Sequence, residues 1–407
     1  MKRSSPIFFL AFVFFCSCKP VEKEPGITAS AETAVDTSAA SCPYLTKDPQ
    51  NRVVLSYVRQ SAGTAPVFCY AVSGDEGSSF GKPVEIPGSN KVQPHGENGP
   101  KIIFKPSGEI IAAWGAANPN PKNKYSGLVY YSQSFDEGHT WTKPRSLTTD
   151  TASFDQRYFD MAILPNGEAG IVWLDNRKQW KGEGSGLYYA ETSGRQGFEG
   201  ERLISGPCCQ CCRTDLFIDA KKKIHVLYRA ILNDTIRDMV HIVSTDDGKQ
   251  FTKPQRISND DWVMNGCPHT GPAMTENKAG IHFTWFTGGG GSGIYYNNSK
   301  DGGKTFTSRD TVSGKASKHC QITALPDDRI LIVWNESFAN GNQYASRIGI
   351  EERDAAGHTT LKNYITGEKS NSSFPVICPV STGKAVVAYT ENINDQEHVL
   401  LKQVMIQ

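Results

Sequence analysis

The chain carries almost no net charge: 43 Lys and Arg stand against 42 Asp and Glu, a formal balance of +1 over 407 residues. So even a balance offers no footing for nucleic acid or for a strongly acidic partner. Apolar runs long enough to cross a membrane are missing as well, outside the first residues of the chain. From Lys19 to Ala40 large apolar residues are scarce, and Ala, Thr, Ser and Glu take their place. What is abundant is glycine, 38 residues, together with 10% aromatics. That combination fits many short strands joined by tight turns. The length exceeds one average domain, but a single repeat architecture can absorb it.

The N-terminus reads as a targeting segment. Lys2 and Arg3 precede an apolar run from Ile7 to Phe15, which ends in Cys16-Ser17-Cys18. This resembles a bacterial lipoprotein signal, with residues 1–17 removed and Cys18 lipidated; Cys16 is the alternative acceptor. Phe15 stands where Leu is usual, and an ordinary secretory signal is the other reading. Either reading exports the protein, here to a bacterial cell envelope on the periplasmic or surface face, with membrane contact through the lipid alone. Residues 18–41 then read as a flexible tether, and 42–407 as the folded unit, expected to be a monomer.

Within 42–407 one pattern recurs. A short apolar strand and a turn lead into a stronger strand ending in an aromatic, as in Val53-Val54-Leu55-Ser56-Tyr57 or Ile330-Leu331-Ile332-Val333-Trp334. The closing aromatics are Tyr57, Trp114, Trp173, Tyr228, Trp285, Trp334 and Tyr389, spaced 57, 59, 55, 57, 49 and 55 residues apart. That period, with several strands per unit, describes a blade. The fold class is therefore all-β, a propeller of four-stranded antiparallel blades. Seven blades are preferred; six result if the first and last units share one. Ring closure would bring Cys42 or Cys69 near Cys378, as a disulfide or as buried thiols.

Four units also carry a Ser-x-Asp-x-Gly turn ending in an aromatic: Ser73 to Phe80, Ser134 to Trp141, Ser244 to Phe251 and Ser299 to Phe306. The carboxylates of Asp75, Asp136, Asp246 and Asp301 can accept backbone N–H groups, and glycine permits positive φ. The third unit keeps a degenerate version around Ser193 and Gly197, and the sixth and seventh show none. These turns resemble the Asp box of the sialidase-like β-propellers. The resemblance implies a turn between the third and fourth strands of a blade, remote from the active site, and a glycan-directed activity of the sialidase type. It fixes no reaction, since propellers of this type include non-hydrolytic members.

Chemistry is expected where the linkers between blades converge beside the channel. They carry Gln93-Pro94-His95-Gly96-Glu97-Asn98, then Asp155-Gln156-Arg157-Tyr158, then Cys208-Cys209-Gln210-Cys211-Cys212-Arg213, then Trp262 with Cys267-Pro268-His269, then His319-Cys320. Sialidases grip a substrate carboxylate with three arginines and use a tyrosine nucleophile with an acidic acid/base. Here Arg157, Arg213 and Arg229 or Arg237 are candidates for the cluster, Asp155 for the acid, and Tyr158 is an available hydroxyl. The family's Arg-Ile-Pro motif is missing; Lys101-Ile102-Ile103 is its nearest look-alike. No catalytic role transfers residue by residue, and Arg157 and Arg213 can equally pair with Asp155 and Asp215. Two further readings stay open. One is a metal or redox centre built from Cys208, Cys209, Cys211, Cys212, Cys267, His269, His319 and Cys320, whose Cys-x2-Cys spacings suit zinc or cuprous copper. The other is a non-catalytic propeller that binds a glycan, a protein or a small molecule on the channel face, with Trp180 and Trp262 available to stack on sugar rings.

Overall fold

The computed structural model describes residues 26–60, 63–118, 126–149, 155–177, 180–341 and 343–407. The signal segment, Cys16 and Cys18 lie outside the described residues. Seven antiparallel sheets follow one another along the chain and close into a ring. The aromatic-ending strands are the second strands of the blades, from Val53–Gln60 in blade one to Lys384–Ile393 in blade seven. Packed against a neighbouring blade on each side, they read as continuous apolar runs rather than as alternating ones. All seven closing aromatics are buried.

Seven hydrophobic clusters fill the spaces between successive blades. One joins blades one and two around Trp114, and the last joins blade seven to blade one through Val386, Ala388, Leu55 and Tyr57. Burying each such side chain contributes about 1.5–3 kcal/mol, so the ring is held by its interfaces. Cys69 and Cys378 lie in that last cluster and Cys42 in the first, and all three are buried free thiols. The disulfide considered for ring closure is not formed.

Closure is made by strand pairing. Ile27–Ala29 forms the outermost strand of blade seven, with Ile27 opposite Ile406, and Thr33–Ala34 pairs with Leu400 and Leu401. Ala39–Lys47 is already the first strand of blade one. The expected tether over 18–41 is therefore corrected from residue 27 onward, and the propeller begins before 42. The sparse large apolar residues hid this, because an outer strand buries only one residue, Ile27, deeply. The same pairing explains why the seventh unit lacks a Ser-x-Asp-x-Gly turn. Its fourth strand comes from the other end of the chain, so there is no hairpin to close.

The four turns lie between third and fourth strands. In the second, Ser134 Oγ donates to Asp136 Oδ1 at 2.9 Å, Thr140 N to Asp136 Oδ1 at 2.8 Å, and Gly138 N to Ser134 Oγ at 2.8 Å. The Thr140 hydroxyl, which donates to Asp136 Oδ2 at 2.5 Å, then the Thr140 N–H and the Ser134 hydroxyl hold the Asp136 carboxyl down at about 2. Gly138, at φ +90°, leaves room for the Tyr70 hydroxyl of the preceding blade, which a Cβ would meet at 2.3 Å. Gly248 and Gly303 meet Tyr189 and His241 in the same way. Blade six keeps a reduced form that the sequence pattern missed. Asp354 accepts from Ala356 N and His358 N, and Gly357 packs on Tyr296, although no serine precedes it.

Candidate functional site at the channel mouth

Linkers between blades and the turns joining second to third strands lie at one end of the ring. The Ser-x-Asp-x-Gly turns lie at the other, as strand direction requires. At the linker end, four innermost strands carry a bulge, after Ser41, Arg157, Lys318 and Ser373. In each the next residue has positive φ: Cys42 at 58°, Tyr158 at 55°, His319 at 55° and Phe374 at 50°. Non-glycine residues pay for that conformation, and neighbouring linkers hold it in place. Tyr158 N donates to Asn98 Oδ1 at 2.6 Å, and His319 N to Thr270 Oγ1 at 3.3 Å. A proline follows the positive-φ residue at two of these bulges, Pro43 after Cys42 and Pro375 after Phe374.

The centre of the mouth is tied by Glu97. It sits on the short 3-10 turn Gly96–Asn98 and is buried. Its Oε1 accepts from Arg213 Nη1 at 2.6 Å and its Oε2 from Gly271 N at 2.6 Å. Arg213 Nη2 donates to the Cys320 carbonyl at 2.6 Å. Blades two, four, five and six are thereby joined across the ring. Arg213 thus pairs with Glu97 instead of Asp215, whose carboxylate accepts Met274 N at 2.6 Å. Burial pushes the Asp215 carboxyl well up, and the nearby Asp160 reinforces it. The cavity beside Glu97, lined by Tyr44, Lys101, His319 and Phe374 among others, holds only about 50 Å³.

The remaining arginines are also committed. Arg157 forks onto Asp155 with two bonds of 2.6 Å. Burial nevertheless raises the Asp155 carboxyl above its ordinary value. Arg229 donates to the carbonyls of Arg237, Thr270 and Phe286 and lies over Trp262. Arg237 is buried and reaches the Asp234 carbonyl at 3.4 Å. Tyr158 is buried. The expected carboxylate grip is therefore not presented: the guanidiniums that would form it already serve the fold. Trp180 is covered by Gly182, Gly186 and Gly206, and Trp262 packs against Phe286 and Gly288, so both act in packing.

The cysteines divide into those that meet and those that do not. Cys209 Sγ lies 3.6 Å from Cys211 Sγ and 4.0 Å from Cys212 Sγ, all three buried. The thiols of Cys211 and then Cys212 stabilise a thiolate on Cys209, while burial pushes the Cys208 thiol well up. Cys211 Sγ also lies within 4.8 Å of donor atoms of Cys267 and His269, which are exposed. His95, missed as a site residue, stands beside His269 with ring centroids 6.2 Å apart, and its Nδ1 is buried without a hydrogen-bond partner. Cys208, Cys320 and His319 do not join them. Cys208 is buried between blades three and four, Cys320 belongs to the cluster between blades five and six, and His319 bonds Asn335 and stacks on Phe374 at 4.0 Å.

A wider groove opens at the same end between blades one and seven. It has a volume of about 880 Å³ and is lined by Ser38, Gln60, Asn392, Asp395, Gln396 and Glu397 among others.

In class, the chain is a seven-bladed β-propeller of antiparallel blades. It is similar in fold to an ulvan lyase of polysaccharide lyase family PL25, at TM-score 0.57 and 11% identity over 92% of this chain and 95% of that one. The alpha-L-arabinanase of Penicillium chrysogenum gives TM-score 0.52 and 13% identity over 93% and 98%. A protein of unknown function from Dyadobacter fermentans gives TM-score 0.50 and 18% identity over 76% and 94%. No protein-family model and no curated protein matches the sequence.

Proposed function

We propose that this protein is a glycan-directed propeller that binds a neutral saccharide in the groove between blades one and seven. The groove's lining carries the reading: hydroxyl, amide and carboxylate groups from Ser38, Gln60, Asn392 and Glu397, in a volume suited to several sugar rings. The fold likeness to a polysaccharide lyase and an arabinanase supports a saccharide over other small molecules. The lining includes Asp395 and Glu397 but no cationic side chain among the described residues, which disfavours an anionic sugar. Hydrolysis of the sialidase type is the weaker reading, because the candidate arginines are bonded within the fold. Titration with neutral oligosaccharides should show binding, and Glu397→Ala should weaken it roughly tenfold, about one charge-assisted hydrogen bond. Release of sialic acid from a fluorogenic sialoside, or saccharide binding indifferent to both Glu397→Ala and Asn392→Ala, would overturn the proposal.

We infer further that the protein is exported to the bacterial cell envelope and anchored through lipid on Cys18. The apolar run closed by Ser17-Cys18 supports this. Mass spectrometry of the mature N-terminus should find a diacylglyceryl Cys18. An unmodified N-terminus beyond Cys18 would discard the anchor.

A further inference from the structure

The eight cysteines and histidines expected as one metal or redox centre, drawn from three successive linkers, are divided by the fold. One triad, Cys209, Cys211 and Cys212, is buried; the other, Cys211, Cys267 and His269, opens to solvent at its last two members. Cys211 belongs to both. Within each triad every donor atom lies within 4.8 Å of the others, whereas no single group of that size gathers all five. One ion therefore cannot take all five donors, but two ions can share the central sulfur.

The donor count selects the metal. Structural zinc is almost always four-coordinate, and catalytic zinc fills its open position with water. The buried triad supplies three sulfurs, one donor short of that set. Soft thiolates favour cuprous copper, a d10 ion that accepts three such donors, and imidazole suits copper as well. The exposed triad adds an imidazole, and the unpartnered Nδ1 of His95 lies on the same side. A buried imidazole nitrogen without a partner costs free energy, so its presence here asks for a ligand or an occupant nearby. His269 has positive φ, 50°, and its ring lies 6.2 Å from that of His95 on the linker between blades one and two.

We propose that the channel mouth binds cuprous copper in two three-donor sites bridged by the Cys211 thiolate. The inner ion is held by Cys209, Cys211 and Cys212, and the outer ion by Cys211, Cys267 and His269, with His95 beside it. Binding displaces the remaining thiol protons to solvent, and no change of oxidation state is required. The outer site is the entry and exit point, since Cys267 and His269 are its exposed members. The proposal does not rest on the saccharide groove, whose lining contains none of these residues.

The test is anaerobic titration of the reduced, metal-stripped mature protein with cuprous ion against bicinchoninate, with a parallel titration using zinc chloride. About two cuprous ions per chain are expected, with an ultraviolet thiolate-to-copper band and displacement of zinc by copper. Cys211→Ser should abolish both sites. Cys267→Ser combined with His269→Ala, at exposed positions, should leave about one ion and a folded protein by circular dichroism. If Cys211→Ser fails to fold, the exposed double variant decides alone. An unchanged copper count in that variant overturns the proposal. So does zinc held at one ion per chain and not displaced by equimolar copper. So, finally, does a Cys209 disulfide with no copper uptake after reduction.

Discussion

Glu97→Ala is expected to be among the most destabilising single substitutions in this chain, at roughly 3–5 kcal/mol. The carboxylate is buried, and so is the Arg213 guanidinium that it neutralises. Removing it leaves a desolvated cation with one fork of donors unpaired, and it orphans the Gly271 N–H as well. The attraction between the two charges does not by itself explain the cost. Most of it comes from stranding the partner in a low dielectric, where an unpaired charge is expensive. Replacing both partners with apolar residues of similar volume, Glu97→Leu with Arg213→Met, should therefore recover a large part of the loss. Denaturant unfolding of the single and double variants measures both quantities. A single-variant loss under about 1 kcal/mol would mean that the bridge is solvated, and its role as the tie across the mouth would have to be abandoned.

Removing residues 1–38 is the second large effect. Without Ile27–Ala29 and Thr33–Ala34, blade seven ends in the exposed edge of Gln396–Ile406. The loss includes the burial of Ile27 and the hydrogen bond from the Tyr389 hydroxyl to Glu32 at 2.9 Å. It also includes Asp36, which accepts from the Tyr57 hydroxyl at 2.8 Å and pairs with Arg59 at 2.6 Å. Together these amount to roughly 3–6 kcal/mol, and the bare edge invites association between chains. A chain beginning at Gly26 keeps every one of these contacts and serves as the reference. Thermal unfolding and light scattering should show a lower midpoint and aggregation for the shorter chain alone. Identical midpoints for the two would show that ring closure does not depend on this strand.

Much of the fold was legible before any coordinates. A turn such as Ser134 to Trp141 is decided by interactions within eight residues, so its residues announce it. The spacing of Tyr57, Trp114 and their successors counts blades because each central strand must bury both faces, and only apolar runs can do so. Where local chemistry was diluted, legibility fell. The outer strand at Ile27 buries too little to stand out, and the turn at Asp354 lacks its serine.

The site was another matter. The sequence by itself determined that Cys, His and Arg are concentrated in successive linkers, and that these linkers share one end of a ring. Only the tertiary structure decided which of them meet. Glu97 reaches Arg213 and Gly271, residues 116 and 174 positions away. Cys211 finds Cys267 and His269, while Cys320 and His319 turn to other partners. Of the two ion pairs open in a linear reading, Arg157–Asp155 forms, while Arg213 turns from Asp215 to Glu97. The physical reason is range. A turn is selected by neighbours along the chain, whereas a contact across the channel exists only after seven blades have closed and fixed the separation of their linkers.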